Sequence, residues 1–471
     1  MEERCQGVQG LSFVDDVAWW AEGRTEKETA EKLAEAAEAA EAALEWAGNN
    51  GVNFDHAKTE AMFLSKRRRK PSESIRVGDH SIPFNKHATR WLGIWIDSKM
   101  TLKEHHSARM KKANRAMGCI RRLTGQMGLC PAACKKALVA CVQASALYGA
   151  ELWWDDRKGA GVKNRCDELQ KLESQMGRAI TGNFRTTNLG VVMAESGLRP
   201  AESVLNNRSR RHVLRLMSLP KGNQAKALPG GNTPMGQRMV HFSEYSGRVE
   251  EICLPEDGPT ELEASVSIAD AEWAEQEARR ADGQPGLTLW TDGSRDENGG
   301  TGFAVVWRKR RKWVGRKVHM GYFQEAYDAE CAAIARALAV AAGQAKRHKL
   351  GRVRIFTDAQ AAITRMTHDE PGPGQTYAIQ ARQAIAILRK QEPAIEIEIR
   401  WCPAHKGIPG NEVADKWAKL AASEPDDHGV EWLTLADGTR ATQRATSLAH
   451  LRRRATEKKW PEARSWCEWR K

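Results

Sequence analysis

Residues 287–423 read as an α/β domain with a mixed five-stranded sheet and flanking helices, on two observations. Three strand-like runs come first: Leu287–Trp290, then Phe303–Trp307 and Trp313–Tyr322, the last two joined by a basic turn. Helices and strands alternate after them, and three antiparallel strands followed by such an alternation make a mixed sheet. Taken in order, Ala326–Gln344 is an Ala-rich helix whose small residues suit close packing on a sheet. Val353–Thr357 is a β-branched strand, Ile395–Trp401 is another, and Gly410 precedes a last helix, Asn411–Ala422.

Upstream the pattern differs. Residues 10–20 read as strand, tight turn, strand, with Asp15-Asp16 at the turn. An Ala/Glu-rich helix follows, opened by Thr25 and Glu28 at capping-box spacing and closed near Gly48. Short strands are expected at Val52–Phe54, Ala61–Ser65 and Trp91–Ile96, so residues 1–100 read as α+β. From 101 to 219 the period is helical: Met110, Ala113, Met117, Ile120, Leu123 and Met127 recur every three to four residues. Pro131 starts a second helix that Gly149 ends, and Leu169, Leu172, Met176 and Ala179 mark a third. Residues 220–286 lose periodicity and read as a linker holding one short acidic helix near Ala269–Arg280, and 424–471 read as a basic tail.

The 471 residues carry 73 Lys and Arg against 60 Asp and Glu, a formal charge of +13. A surplus of that sign favours polyanions through counterion release. No run approaches the roughly 18 apolar residues of a membrane span, and the start, Met1-Glu2-Glu3-Arg4-Cys5, lacks the plan of a secretory signal. The ten cysteines are scattered and include no CxxC pair, which argues for reduced intracellular thiols rather than zinc or disulfides. The run Ser65–Lys70 suits a nuclear import signal, a phosphate-contacting loop or a solvated charged turn equally well.

Hydrolysis of a phosphodiester by two metals needs several carboxylates converging on one point, because each ion takes hard oxygen ligands and keeps positions open. The C-terminal domain offers Asp292 at the end of its first strand, Glu330 on its first helix, Asp358 at the end of its fourth strand and Asp415 on its last helix. Strand ends of one sheet point the same way, and a helix crossing that sheet can deliver Glu330 to the same edge. Anions so crowded raise each other's pKa unless cations compensate. Singly, each residue has an ordinary explanation: a turn for Thr-Asp-Gly-Ser, a helix glutamate for Glu330, a strand terminator or N-cap for Asp358, a hydrogen-bonded loop residue for His405.

Together and in order, they match a family. Thr291-Asp292-Gly293-Ser294, Tyr327-Asp328-Ala329-Glu330, Phe356-Thr357-Asp358-Ala359-Gln360 and the segment from Trp401 through His405 and Asn411 to Asp415 resemble four motifs of type-1 ribonuclease H. The resemblance implies a ribonuclease H-like fold and cleavage of the RNA strand of RNA–DNA hybrids. It implies Asp292, Glu330, Asp358 and Asp415 as ligands of two Mg²⁺ ions, with Mn²⁺ as a substitute. His405 would aid proton transfer or product departure. Gly293, Ser294, Gln360 and Asn411 would contact the hybrid, whose 2′-hydroxyls lie in a wide minor groove. The extra basic helix that some members use to grip hybrid is not evident, so affinity is expected to draw on the cationic tail and the helical region.

Phe13-Val14-Asp15-Asp16, the segment Asn53–Glu60 with Lys58, and Arg90–Asp97 resemble, in that order, palm motifs of reverse transcriptases of non-LTR (LINE-like, fungal-type) retrotransposons. The helices beyond resemble the thumb, and in those elements a ribonuclease H domain follows the polymerase. Asp15 and Asp16 would be remnants of a metal site, and Lys58 of the group that protonates pyrophosphate. Fourteen residues precede Asp15, so fingers and the first palm aspartate are expected to be missing and this chain alone is expected not to polymerise. The expectation is therefore a Mg²⁺-dependent hybrid nuclease tethered to a polymerase remnant. The alternatives are a nucleic-acid-binding remnant whose catalysis has lapsed, or a polymerase whose fingers are encoded upstream. Its expected location is intracellular, nuclear or cytoplasmic, with a mitochondrial one left open; no membrane or protein partner is implied.

Overall fold

The computed structural model describes residues 7–14, 16–42, 58–64, 74–77, 80–84, 87–126, 128–155, 159–220, 223–227, 249–253, 261–281, 283–423, 433–434, 440–441 and 445–469. Two compact units divide the chain: Met1–Arg208 with Trp460–Lys471, and Ser209–Lys459.

In the first unit, β1 (Val8–Phe13) and β2 (Asp16–Ala21) form an antiparallel hairpin, followed by α1 (Glu26–Ala42). At its start the Glu28 N–H donates to Thr25 Oγ1 at 3.1 Å, as the capping-box spacing predicts. Hairpins β3–β4 (Ser74–Val77, His80–Pro83) and β5–β6 (Ala88–Trp91, Ile94–Asp97) follow. Each hairpin is its own two-stranded sheet, so among the described residues the palm-like layer expected of 1–100 is not assembled. Val52–Phe54 lies outside the described residues, and residues 61–64 are irregular rather than strand.

The helical region follows its apolar period. Helix α2 (Lys103–Gln126) buries Ala113, Met117 and Ile120, whereas Leu123 on the same stripe is exposed and Met127 lies outside the described residues. Pro131 opens a run of helix that continues to Leu147, with Gly149 just beyond it in the left-handed region. Helix α3 (Ala160–Thr181) buries Leu169, Leu172 and Met176 in the same core. Helix α4 (Ala201–Met217) adds Val204 and Leu205, and Trp466 and Cys467 near the C-terminus pack against this core as well.

The second unit holds a six-stranded sheet rather than five. Its extra strand, β7 (Ser265–Ser267), pairs in parallel with β12 (Glu396–Trp401), and α5 (Ala271–Ala281) packs Ala278 and Ala281 under the sheet. Ser265–Ser267 is thus a strand inside the expected linker, three residues being too few to show a period of two, and α5 lies where the short acidic helix was expected. The other strands are β8 (Leu287–Arg295), β9 (Thr301–Lys309), β10 (Lys312–Gly321) and β11 (Arg352–Thr357), in the order β10-β9-β8-β11-β12-β7. β10, β9 and β8 run antiparallel; β8, β11, β12 and β7 run parallel.

Alternation sorts β11 onto two cores. Val353 and Ile355 meet α6 (Ala326–Ala345), α7 (Gln360–Met366) and α8 (Gln375–Gln391), while Phe356 meets Ala414 of α9 (Pro409–Ser423) on the opposite face. The result is three layers, helix on sheet on helix. Between β11 and β12 stand α7 and α8, as the sequence implies. Within the expected basic tail stand two helices, α10 (Leu448–Glu457) and α11 (Lys459–Trp469).

Candidate metal centre

Parallel register places two of the carboxylates. Trp290 of β8 is opposite Phe356 of β11, and their rings stack with centroids 4.6 Å apart. That pair is the last of the β8–β11 ladder, and Asp292 and Asp358 each lie two residues further on. With a side-chain period of two, both leave the sheet on the same side at the carboxyl ends of neighbouring strands. β8 itself does not stop at Asp292 as expected; it runs on to Arg295 paired only with β9, where Asp292 is opposite Ala304. The buried Thr291 hydroxyl donates to the Phe356 carbonyl at 3.1 Å and pins the two strands where they part.

Glu330 comes from α6. A Cβ on Gly293 would lie 2.4 Å from the Glu330 nitrogen and 2.6 Å from the Ala329 carbonyl carbon, so only glycine lets the helix backbone approach β8 there. Ligand oxygens of Asp292, Glu330 and Asp358 all lie within 4.8 Å of one another, the one group of acids, His or Cys among the described residues so arranged. Gly410 does for α9 what Gly293 does for α6: its Cβ would meet the Trp290 ring at 2.2 Å.

Electrostatics follow from that crowding. Burial, then the charges of Asp358 and Asp415, push Asp292 up to about 8. Burial, then Asp292 and Asp358, hold Glu330 well above its usual range. Asp358 is raised by burial, against a hydrogen bond from Asn411 that lowers it. Glu330 Oε2 is buried with no hydrogen-bond partner. A bare oxygen in a cluster of hard donors fits a divalent cation. Two ligands of one Mg²⁺ sit at most about 4.2 Å apart, and paired ions about 3.5–4 Å apart, so the trio matches that scale after a small inward movement.

The other expected residues divide. Asp415 acts on Asp292 and Asp358 through its charge but is not part of the close trio; Lys419, one turn on, donates to it at 2.7 Å. His405 is exposed on the loop before α9 with φ +55, and its charge acts on Asp358. Gln360 is exposed at the start of α7, and Ser294 is half-buried opposite Gly302. Asn411, expected at the hybrid, lies beside Asp358. It is buried, its Nδ2 donates to Asp358 Oδ2 at 3.4 Å, and its Oδ1 accepts from Cys402 Sγ at 3.5 Å, so it orients the Asp358 carboxylate. Gly293 likewise contributes close packing. Of the upstream candidates, Asp15 lies outside the described residues, Asp16 is exposed as the first residue of β2, and Lys58 is exposed.

Sequence reasoning missed a clasp at the start of α6. Glu325 and Asp328 form a reciprocal capping box there, overlooked because glutamate is an unusual N-cap. The Ser447 hydroxyl donates to Asp328 Oδ2 at 2.6 Å. Glu325 Oε1 receives Arg453 Nε at 2.7 Å and lies 2.8 Å from His450 Nδ1. Gln324 Nε2 donates to the Ala445 carbonyl at 2.6 Å. Residues 445–453 therefore hold the helix that delivers Glu330. Burial, opposed by the Ser447 hydrogen bond, raises Asp328 to about 7.

The RNase H family model matches residues 284–423. No curated protein matches the chain. Among solved structures, the N-terminal RNase H domain of a Mycobacterium tuberculosis protein, fused to maltose-binding protein, is 19% identical over 29% of this chain and 98% of its own, with a TM-score of 0.23. LC11-RNase H1 in complex with an RNA/DNA hybrid is 18% identical over 29% and 96%, with a TM-score of 0.24. RNase H1 of the halophilic archaeon Halobacterium salinarum is 19% identical over 29% and 96%, with a TM-score of 0.20. The match to the RNase H family covers residues 284–423, the span that carries Asp292, Glu330 and Asp358.

Proposed function

We propose that this domain cuts the RNA strand of RNA–DNA hybrids with two divalent cations, Mg²⁺ or Mn²⁺, held by Asp292, Glu330 and Asp358, with Asp415 nearby. The observation that carries the reading is the meeting of three carboxylates from β8, α6 and β11 within 4.8 Å, one oxygen of Glu330 being buried and unanswered. A bound pair of such ions supplies Lewis acidity that lowers the pKa of water and stabilises a leaving 3′-oxygen. Asn411 and the Trp401 indole, which donates to the Asp358 carbonyl at 3.0 Å, keep that ligand aimed. Lys419 partly neutralises Asp415 and sets how much negative charge the site carries. His405, exposed beside Asp358, would pass a proton to the departing product.

The region before residue 220 reads as a reverse-transcriptase remnant, supported by three motifs in family order and by the hairpin that carries Asp16. A gel assay tests the nuclease: the full chain with Mg²⁺ should release fragments from the labelled RNA strand of a hybrid and leave double-stranded DNA whole. Intact RNA after prolonged incubation, with the protein folded, would overturn the reading.

A further inference from the structure

Outside the carboxylate edge, the second unit gathers arginines on one surface. The second half of α4 packs Leu214 against Leu448, Leu451 and Ala455 of α10, with Val249 beside them. Arg211 and Arg215 stand one turn apart on α4, flanking Leu214, and Arg452 follows Leu451. All three side chains are exposed. Among the described residues none of the three has an ion pair. The strongest charges acting on Arg452 are Arg211, Arg215 and Arg365, all repulsive. One carboxylate, Glu250, lies among them, and its oxygens already accept from the Leu448 N–H at 2.9 Å and the Thr376 hydroxyl at 3.3 Å. Arg365 donates to the Glu370 carbonyl at 2.6 Å, and its Nε is buried without a partner.

Like charges held this close oppose the packing of α4 on α10, and a bound polyanion reverses that opposition. Guanidinium groups suit phosphate oxygens because their donors form a planar fork. No large apolar side chain is exposed on 209–217 or 445–457, so the face lacks the anchors of a membrane-binding helix. Its placement is fixed by the clasp: α10, which carries Arg452, is tied through Ser447, His450 and Arg453 to the start of the helix that carries Glu330.

We propose that Arg211, Arg215 and Arg452 form a phosphate-binding face for the backbone of duplex nucleic acid, a second grip on the hybrid whose RNA strand lies at the carboxylate trio. The duplex as ligand rests on the nuclease reading above; the arginine face itself rests on its own geometry. Its role is to hold, so it reads no sequence.

The test uses the full chain carrying Asp292→Asn, which binds without consuming the probe, and a labelled RNA–DNA hybrid titrated at several salt concentrations. Changing the three arginines to glutamine should lower affinity on the order of tenfold or more and reduce the salt slope by about 2–3, near 0.9 for each phosphate no longer neutralised. Changing them to lysine should restore most of the slope, since point charges still release counterions. If the triple glutamine variant does not fold, as judged by circular dichroism, Arg452→Gln alone should lower the slope by about 0.9. Parental affinity and slope in the folded glutamine variant would overturn the proposal. So would arginine-dependent binding to phosphatidylserine vesicles with none to the hybrid. Failure of the wild-type chain to cut would sink the nuclease reading alone, because the salt slope is measured without cleavage.

Discussion

Buried acid occurs in both units, and the two places answer it differently. In the second unit three carboxylates share one edge, with Asp415 adding a fourth charge nearby. In the first, Glu173 of α3 is fully buried beside the charge of Arg199 rather than other acids, accepting from Gln143 Nε2 at 2.8 Å, and burial, against those two, pushes it up to about 7. A lone buried carboxylate loses its charge by taking a proton. Three of them cannot all be satisfied that way without keeping a strip of acid hydroxyls at a sheet edge. A multivalent cation removes the repulsion at one stroke. Crowding thus separates the trio proposed to hold metal from a single buried acid; burial alone does not.

The largest expected effect breaks that comparison directly. Glu330→Gln should lower hybrid cleavage by at least about a hundredfold, since lost ligation forfeits several kcal/mol of charge stabilisation. Glu173→Gln should leave the cleavage rate unchanged in the same gel assay. Equal losses in both variants would mean that the acids act only through folding.

The next effect is on stability. Glu173 titrates near 4.5 when unfolded and near 7 when folded, so the folded chain binds more protons between those values. Stability from this group is complete below about pH 4.5 and drains away as pH rises through about 7. The loss approaches about 3 kcal/mol, at 1.36 kcal/mol per unit. Denaturant melts of the first unit's helices at pH 5 and pH 8 should show that decline, and Glu173→Gln should flatten it.

Smaller changes sharpen the account of the metal centre. Asn411→Ala frees the Asp358 carboxylate and should cost roughly 10–100-fold in metal affinity or activity, typical of groups that orient ligands. Mg²⁺ titration of the cleavage rate would read it as a rightward shift. Ser447→Ala removes a donor to the buried Asp328 and should cost about 1–3 kcal/mol in a urea melt. An unaltered melt would show that the clasp adds no stability.

Much of the fold of residues 287–423 was legible in sequence because its signals are local. Val353, Ile355 and Phe356 alternate onto two cores, and Asp358-Ala359 marks the end of β11, whereas Asp292-Gly293 falls inside β8 where it parts from β11. The trio was legible because Asp292 and Asp358 follow neighbouring parallel runs and Glu330 lies on the helix that crosses them. What escaped notice depends on tertiary contact. β7 has three residues and takes its register from β12; Ser447 finds Asp328 from 119 positions away. Asn411 sits in a motif that suggests ligand contact, yet Cys402 and Asp358 enclose it. Arg211 comes within electrostatic reach of Arg452 because Leu214 and Leu451 share a core. In the upstream region, motif order supplied the reading, and the described hairpins remain separate sheets.

The most direct test of the whole account is calorimetric titration of Mn²⁺ into the full chain near neutral pH, compared with Glu330→Gln. Saturable binding in the parent that is lost or strongly weakened in the variant is the predicted result. Identical isotherms for the two proteins, or no binding to a folded parent, would contradict a cation site at these three carboxylates.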